Sequence, residues 1–118
     1  MPKGALCIGF GEPRPGYRKK ALKVFEEILQ YWSRMMQKGE IEIFEPVFLD
    51  YHGKDHAGFL LVQGDREKLN KIRMNPEFEN LNHKASLVAG SFGIVDAFVG
   101  EEMQRRLSDY QKQVAELD

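Results

Sequence analysis

Between Tyr17 and Lys38 the apolar residues Tyr17, Ala21, Val24, Phe25, Ile28, Tyr31, Trp32 and Met35 recur three or four positions apart, the spacing of one helix face. Gly39 follows as a left-handed cap. Ahead of this helix, Ala5 to Gly11 alternates, with Leu6, Ile8 and Phe10 on one side and Ala5, Cys7 and Gly9 on the other, and predicts a strand buried on both faces. "IEIFEPVFLDY" and "HAGFLLVQG" are rich in branched and aromatic residues around a short polar break, which predicts a hairpin. Pro46 cannot donate to a ladder, so the first strand of that hairpin belongs at a sheet edge. Asp65 is placed to cap "REKLNKIRM", and Asn75 with Pro76 restarts the helix, so the second helical region is kinked or split at Pro76 and ends at Gly90. "SFGIVDAFVG" predicts a fourth strand, and Glu101 to Leu117 a last helix.

The order strand, helix, strand, strand, helix, strand, helix is the split β-α-β pattern of an α+β, ferredoxin-like domain with a four-stranded antiparallel sheet. A chain of 118 residues builds one such domain, with residues 101–118 as a C-terminal helical extension. Both faces of the hairpin are mainly apolar. Helices cover only one face of the sheet, so the other is expected to meet a second copy, sheet to sheet, in a homodimer. Met103, Leu107, Tyr110, Val114 and Leu117 form a narrow seam on the last helix, suited to docking on another helix or groove.

Charge narrows the partners. Seventeen basic against eighteen acidic residues leave no overall field to favour nucleic acid or an anionic membrane, and neither is expected as a partner. No stretch approaches the roughly 20 apolar residues of a membrane span. The opening lacks a signal-peptide pattern, Pro2 removes the myristoylation signal, and Cys7 alone cannot form an internal disulfide; a reducing cytoplasm is the expected location.

Candidate chemistry is sparse. His52 and His56 flank a break in which Gly53-Lys54 fits a two-residue type II′ turn. That turn would pair Phe48 with Phe59 and Phe44 with Gln63, and would send the two histidines to opposite faces. A three-residue turn from Gly53 to Asp55 would instead pair His52 with His56 beside a carboxylate; a turn, not a metal site, is the expectation. His83 lies opposite the apolar face of its helix, with Leu87 one turn on, so a ligand contact there competes with a simple surface role. Arg14, Arg18, Lys19 and Lys20 gather where the first helix begins and could receive an acidic group, although such a run is commonly a solvated face. The glycines of "GFGEPRPG" do not have dinucleotide-binding spacing. Cys7, within a strand, is expected to be an inert thiol.

"GFGEPRPG", "VFEEILQYW", "IEIFEPVFL" with the "HGKD" hairpin, and "FGIVDAFVG" together resemble the dimeric α/β-barrel superfamily, and particularly its small bacterial members, from Gly4 to about Gly100. That resemblance implies two ferredoxin-like protomers with their sheets pressed together and a ligand cavity between each sheet and its covering elements. The superfamily spans cofactor-independent oxygenases, haem-degrading and haem-dependent enzymes, isomerases and proteins of unknown role, so fold alone does not select a reaction. The expected cavity is lined by Phe48, Phe59, Phe92 and Phe98, with Gln63 and His83 as ligand contacts and Asp96 as the candidate catalytic acid or base, since burial would raise its pKa. Neither a cofactor nor a metal is required by this reading. The asparagine, tryptophan and histidine set expected of the haem-degrading branch is not reproduced, and only His83 stands as a possible iron ligand. The expected function is binding of a small apolar molecule; the alternatives are a cofactor-independent oxygenase or isomerase, and a structural dimer without chemistry.

Overall fold

The structure, a computed structural model, describes residues 3–50 and 55–117. Its elements are β1 (Lys3–Phe10), α1 (Arg18–Gln37), β2 (Ile43–Phe48), β3 (Gly58–Asp65), α2 (Arg66–Arg73), α3 (Pro76–Val88), β4 (Gly93–Ala97) and α4 (Gly100–Leu117). The strands form one antiparallel sheet in the order β2-β3-β1-β4, which is the ferredoxin-like topology. Pro46 lies on edge strand β2, where its missing N–H costs no ladder bond.

Local chemistry sets the helix ends. Gly39 takes a φ of +76° just past α1, a backbone open to glycine at little cost. The region after β3 is split into α2 and α3: Asn75 accepts a 2.8 Å bond from the Glu77 N–H and Pro76 fills the first helical position. Asp65 occupies the cap position of α2 without a capping bond, and its buried Oδ1 has no hydrogen-bond partner among the described residues.

One face of the sheet is packed. Leu6 and Ile8 of β1 lie beside Leu60 and Val62 of β3, all nearly solvent-free, under Ile28, Tyr31, Trp32 and Met35 of α1, Leu69 and Ile72 of α2 and Phe78 of α3. The rings of Tyr31, Trp32 and Phe78 meet at centroid distances of 5.1 to 5.9 Å.

The hairpin register corrects the expectation. Phe48 pairs with Gly58 and Ile43 with Gln63, one residue away from the pairing that a Gly53-Lys54 turn would impose. Side chains alternate, so this offset moves every β2 side chain to the other face relative to β3. Phe44, Pro46 and Phe48 therefore share the helix-facing side of the sheet with Leu60 and Val62, although Pro46 and Phe48 stay exposed at its edge. Ile43, Glu45 and Val47 share the uncovered face with Phe59, Leu61 and Gln63. Glu45 supplies the physical reason: the expected pairing would set its carboxylate beside buried Val62, whereas the observed one leaves it exposed. Residues 51–54, with His52 and the turn itself, lie outside the described residues.

Candidate functional site

Two aromatic side chains of the sheet and one of α1 build the site. Phe10 ends β1 on the helix-facing side, Phe48 ends β2 on the same side, and Gly58 stands between them in the ladder. A Cβ at Gly58 would strike the Val47 carbonyl oxygen and lie 2.8 Å from the Phe10 ring, so glycine there is what lets the two rings approach. Phe25 of α1 completes a cluster with centroid distances of 5.3 to 6.0 Å. At this end of the domain the covering helices present the small residues Ala21 and Ala85, and the layer does not close.

The result is an apolar cavity of about 400 Å³ between the sheet and α1, α3 and their flanking loops. Phe10, Phe25, Phe48, Phe92, Val24 and Ile28 wall it, and Leu22 and Leu49 stand at exposed positions beside its opening. Its backbone rim is tied together: Gly11 donates to the Gly90 carbonyl at 2.7 Å, Gly90 donates to the Glu12 carbonyl at 3.0 Å, and Ala57 donates to the Phe10 carbonyl at 2.8 Å. A Cβ on Gly11 would come within 2.7 Å of both the Asp55 and Gly90 carbonyl oxygens, so that crossing needs glycine. Among the described residues, Glu12 and Arg18 are the ionisable groups of the lining. Arg18 opens α1, whose first turn carries no acid, and it makes no ion pair with any described residue; Arg14 is instead held by the Ser86 carbonyl at 3.0 Å.

The residues expected to share one cavity are distributed over four places. Phe48 and Phe92 line it. Phe59 and Gln63 lie on the opposite, uncovered sheet face, where the His56 ring stacks on Phe59 at 6.4 Å. Asp96 belongs to a third cluster at the far end of the sheet: its Oδ1 is 3.3 Å from Arg66 and 3.1 Å from Arg73, and the carboxylate is about half exposed. Arg66 also donates to the carbonyls of Ala5 and Ala97 and pairs with Glu102, and Phe98 lies under the guanidinium groups of Arg66 and Arg106. The contacts of Asp96 are thus those of a residue joining β4 to α2. His83 is exposed on α3. Cys7, half-buried on the uncovered face, has its thiol pKa pushed up by burial, which disfavours the reactive thiolate. No group of three or more metal-ligating side chains gathers among the described residues.

Sequence reasoning did not single out Phe10, Phe25 or Leu22 as cavity residues. Phe25 did belong to the apolar stripe of α1 and Phe10 to the Leu6 and Ile8 face of β1, but neither pattern distinguishes a filled core from an empty one.

No protein-family model matches the chain, and no curated protein matches it. Solved structures do. A dimeric ferredoxin-like protein of unknown function from a Jannaschia species superposes with a TM-score of 0.62 at 13% identity, over 81% of this chain and 99% of that one. A dimeric protein of unknown function and ferredoxin-like fold from Bacteroides fragilis gives 0.59 at 14% identity, over 80% and 94%. SnoaB, a cofactor-independent oxygenase from Streptomyces nogalater, gives 0.54 at 13% identity, over 86% and 98%. The shared property is the fold. Among the described residues no helix is long and apolar enough to cross a membrane.

Proposed function

We propose that this chain forms a cytoplasmic homodimer that binds a small, mainly apolar molecule in the cavity walled by Phe10, Phe25, Phe48 and Phe92, with any acidic group of the ligand turned toward Arg18. The observation that carries the reading is the cavity itself: about 400 Å³ of apolar space beside a sheet whose other end is fully packed. That volume falls within the range typical of small-molecule sites, roughly 300–1,000 Å³. Binding is favoured over catalysis because no histidine or cysteine lines the cavity among the described residues, its one carboxylate, Glu12, is exposed, and Asp96 is engaged with two arginines elsewhere. The fold shared with an oxygenase does not alter that, since one fold hosts many chemistries.

The dimer rests on the uncovered sheet face. Ile43 and Val95 are half exposed or more there, with Val47, Phe59 and Leu61 between them. A mainly apolar face of this kind, interrupted here by Glu45 and Gln63, is ordinarily covered, and two solved proteins of this fold are described as dimeric. Val95→Asp places a carboxylate in that face and is expected to weaken self-association in sedimentation velocity while the chain stays folded; unchanged association would remove the sheet from the interface.

The ligand is tested by native mass spectrometry of protein isolated from its own host. A reproducible bound mass, lost in Ala21→Trp, which fills the cavity from α1, would support the assignment. A bound mass that persists in that variant places the ligand elsewhere, and an empty protein that also fails to take up an amphipathic probe would refute it.

A further inference from the structure

α4 buries none of its residues. Met103, Leu107, Tyr110, Val114 and Leu117 follow one another at steps of four and three along one face, each between 42% and 88% exposed. Helices in proteins draw most of their stability from packing such a face. The contacts of α4 with its own domain are confined to its start: Glu102 lies 3.5 Å from Arg66, and the Arg106 guanidinium lies 3.5 Å from the centroid of the Phe98 ring. Beyond Arg106, no residue of α4 makes an ion pair or side-chain hydrogen bond with the rest of the described chain.

We propose that this seam is covered by the α4 of a second copy, as a short parallel two-stranded coiled coil. Steps of four and three are those of the d and a positions of a heptad. The residues beside the seam decide the occupant. They are Gln104 and Gln111 on one side and Arg106 and Gln113 on the other, while Glu101, Glu102, Arg105, Asp109, Lys112 and Glu116 all lie further round the helix. Flanking charges ordinarily set partner choice in coiled coils. A seam edged by glutamines encodes no oppositely charged partner and brings no like charges together when two copies meet. Its one flanking cation, Arg106, is turned back onto Phe98. Tyr110 is the d position at the middle of the seam, so a parallel symmetric pair, the arrangement proposed, sets it beside its own copy. This contact uses a different surface from the sheet-face pairing and does not depend on it.

The test is made on the full chain. Tyr110→Cys under mild oxidation is expected to yield a disulfide-linked pair on non-reducing electrophoresis. Asp109→Cys, one position round the helix, and the unaltered chain with only Cys7 are expected to yield little. Leu107→Glu combined with Val114→Glu should weaken self-association at least tenfold in sedimentation equilibrium while leaving thermal unfolding of the sheet domain unchanged, because both side chains are exposed. Equal cross-linking at 109 and 110, or undiminished association of the double variant, would overturn the pairing, including in favour of a different protein on the seam.

Discussion

Two aromatic trios sit on α1, one toward each end of the helix, and they differ in fate although their chemistry is alike. Tyr31 and Trp32 meet Phe78 at 5.1 to 5.9 Å; Phe25 meets Phe10 and Phe48 at 5.3 to 6.0 Å. The first trio takes its third ring from the covering helix α3 and is closed to solvent. The second takes both other rings from the sheet, while the helices above it offer alanines, and Phe48 is left 70% exposed beside an unfilled cavity. Aromatic content is therefore no guide to whether a cluster stabilises the fold or receives a ligand. What decides is whether the facing layer supplies a bulky residue or a small one.

The sharpest way to break this comparison is Trp32→Ala. Removing a buried tryptophan costs about 3–5 kcal/mol, the transfer term plus the cavity left behind. Chemical denaturation should show a loss of that size, a large share of the roughly 5–15 kcal/mol that holds a typical domain together. A loss below about 1 kcal/mol would mean that the closed trio is not the structural centre assigned to it here.

A second consequence belongs to Tyr31 and reads the closed trio without mutation. Its phenol pKa is raised above the ordinary value of 10.0, first by burial and then by the nearby Glu77 carboxylate, with Arg34 acting in the opposite sense. The folded state thus favours the protonated phenol. That contribution is fully present below the ordinary tyrosine value and is lost as pH rises through the folded value, because the unfolded chain ionises first. Stability measured by denaturant is expected to decline above about pH 10, and Tyr31→Phe should flatten that decline. An unchanged alkaline profile in the variant would assign the effect to other groups.

How much of this the chain announced depends on which interaction decided each feature. The element order, the edge position of β2, the cap at Gly39 and the break at Pro76 follow from local rules, and local rules act on residues adjacent in sequence. The hairpin register does not. Gly53-Lys54 alone predicts one pairing, whereas the observed one also keeps the Glu45 carboxylate off the packed face, a constraint that appears only once the helices choose their side of the sheet. With that offset, Phe59 and Gln63 separate from Phe48. Asp96 shows the same limit: an acid in an apolar strand can be a reactive group or half of an ion pair, and the arginines that decide it, Arg66 and Arg73, are distant in sequence. Cavities are harder still, since Ala21 and Ala85 carry no signal of the space above them until three elements are assembled.

The smallest expected change in stability tests the open trio. Phe48→Ala removes a ring that is already largely in solvent, so its unfolding free energy should shift by no more than about 0.5 kcal/mol, the range of ordinary surface substitutions. Its effect on binding should be larger than its effect on folding. Phe48 contributes one wall of the cavity, and losing even part of the apolar contact of a phenylalanine, about 1.5 kcal/mol, corresponds to roughly a tenfold change in affinity. Anilinonaphthalene sulfonate, with an apolar body and one anionic group to face Arg18, is a suitable fluorescent probe. Near-unchanged folding with binding weakened about tenfold would separate the two trios by role. Equal losses in Phe48→Ala and Trp32→Ala would show instead that both trios are core, and that the space beside Phe48 is a packing defect without a ligand.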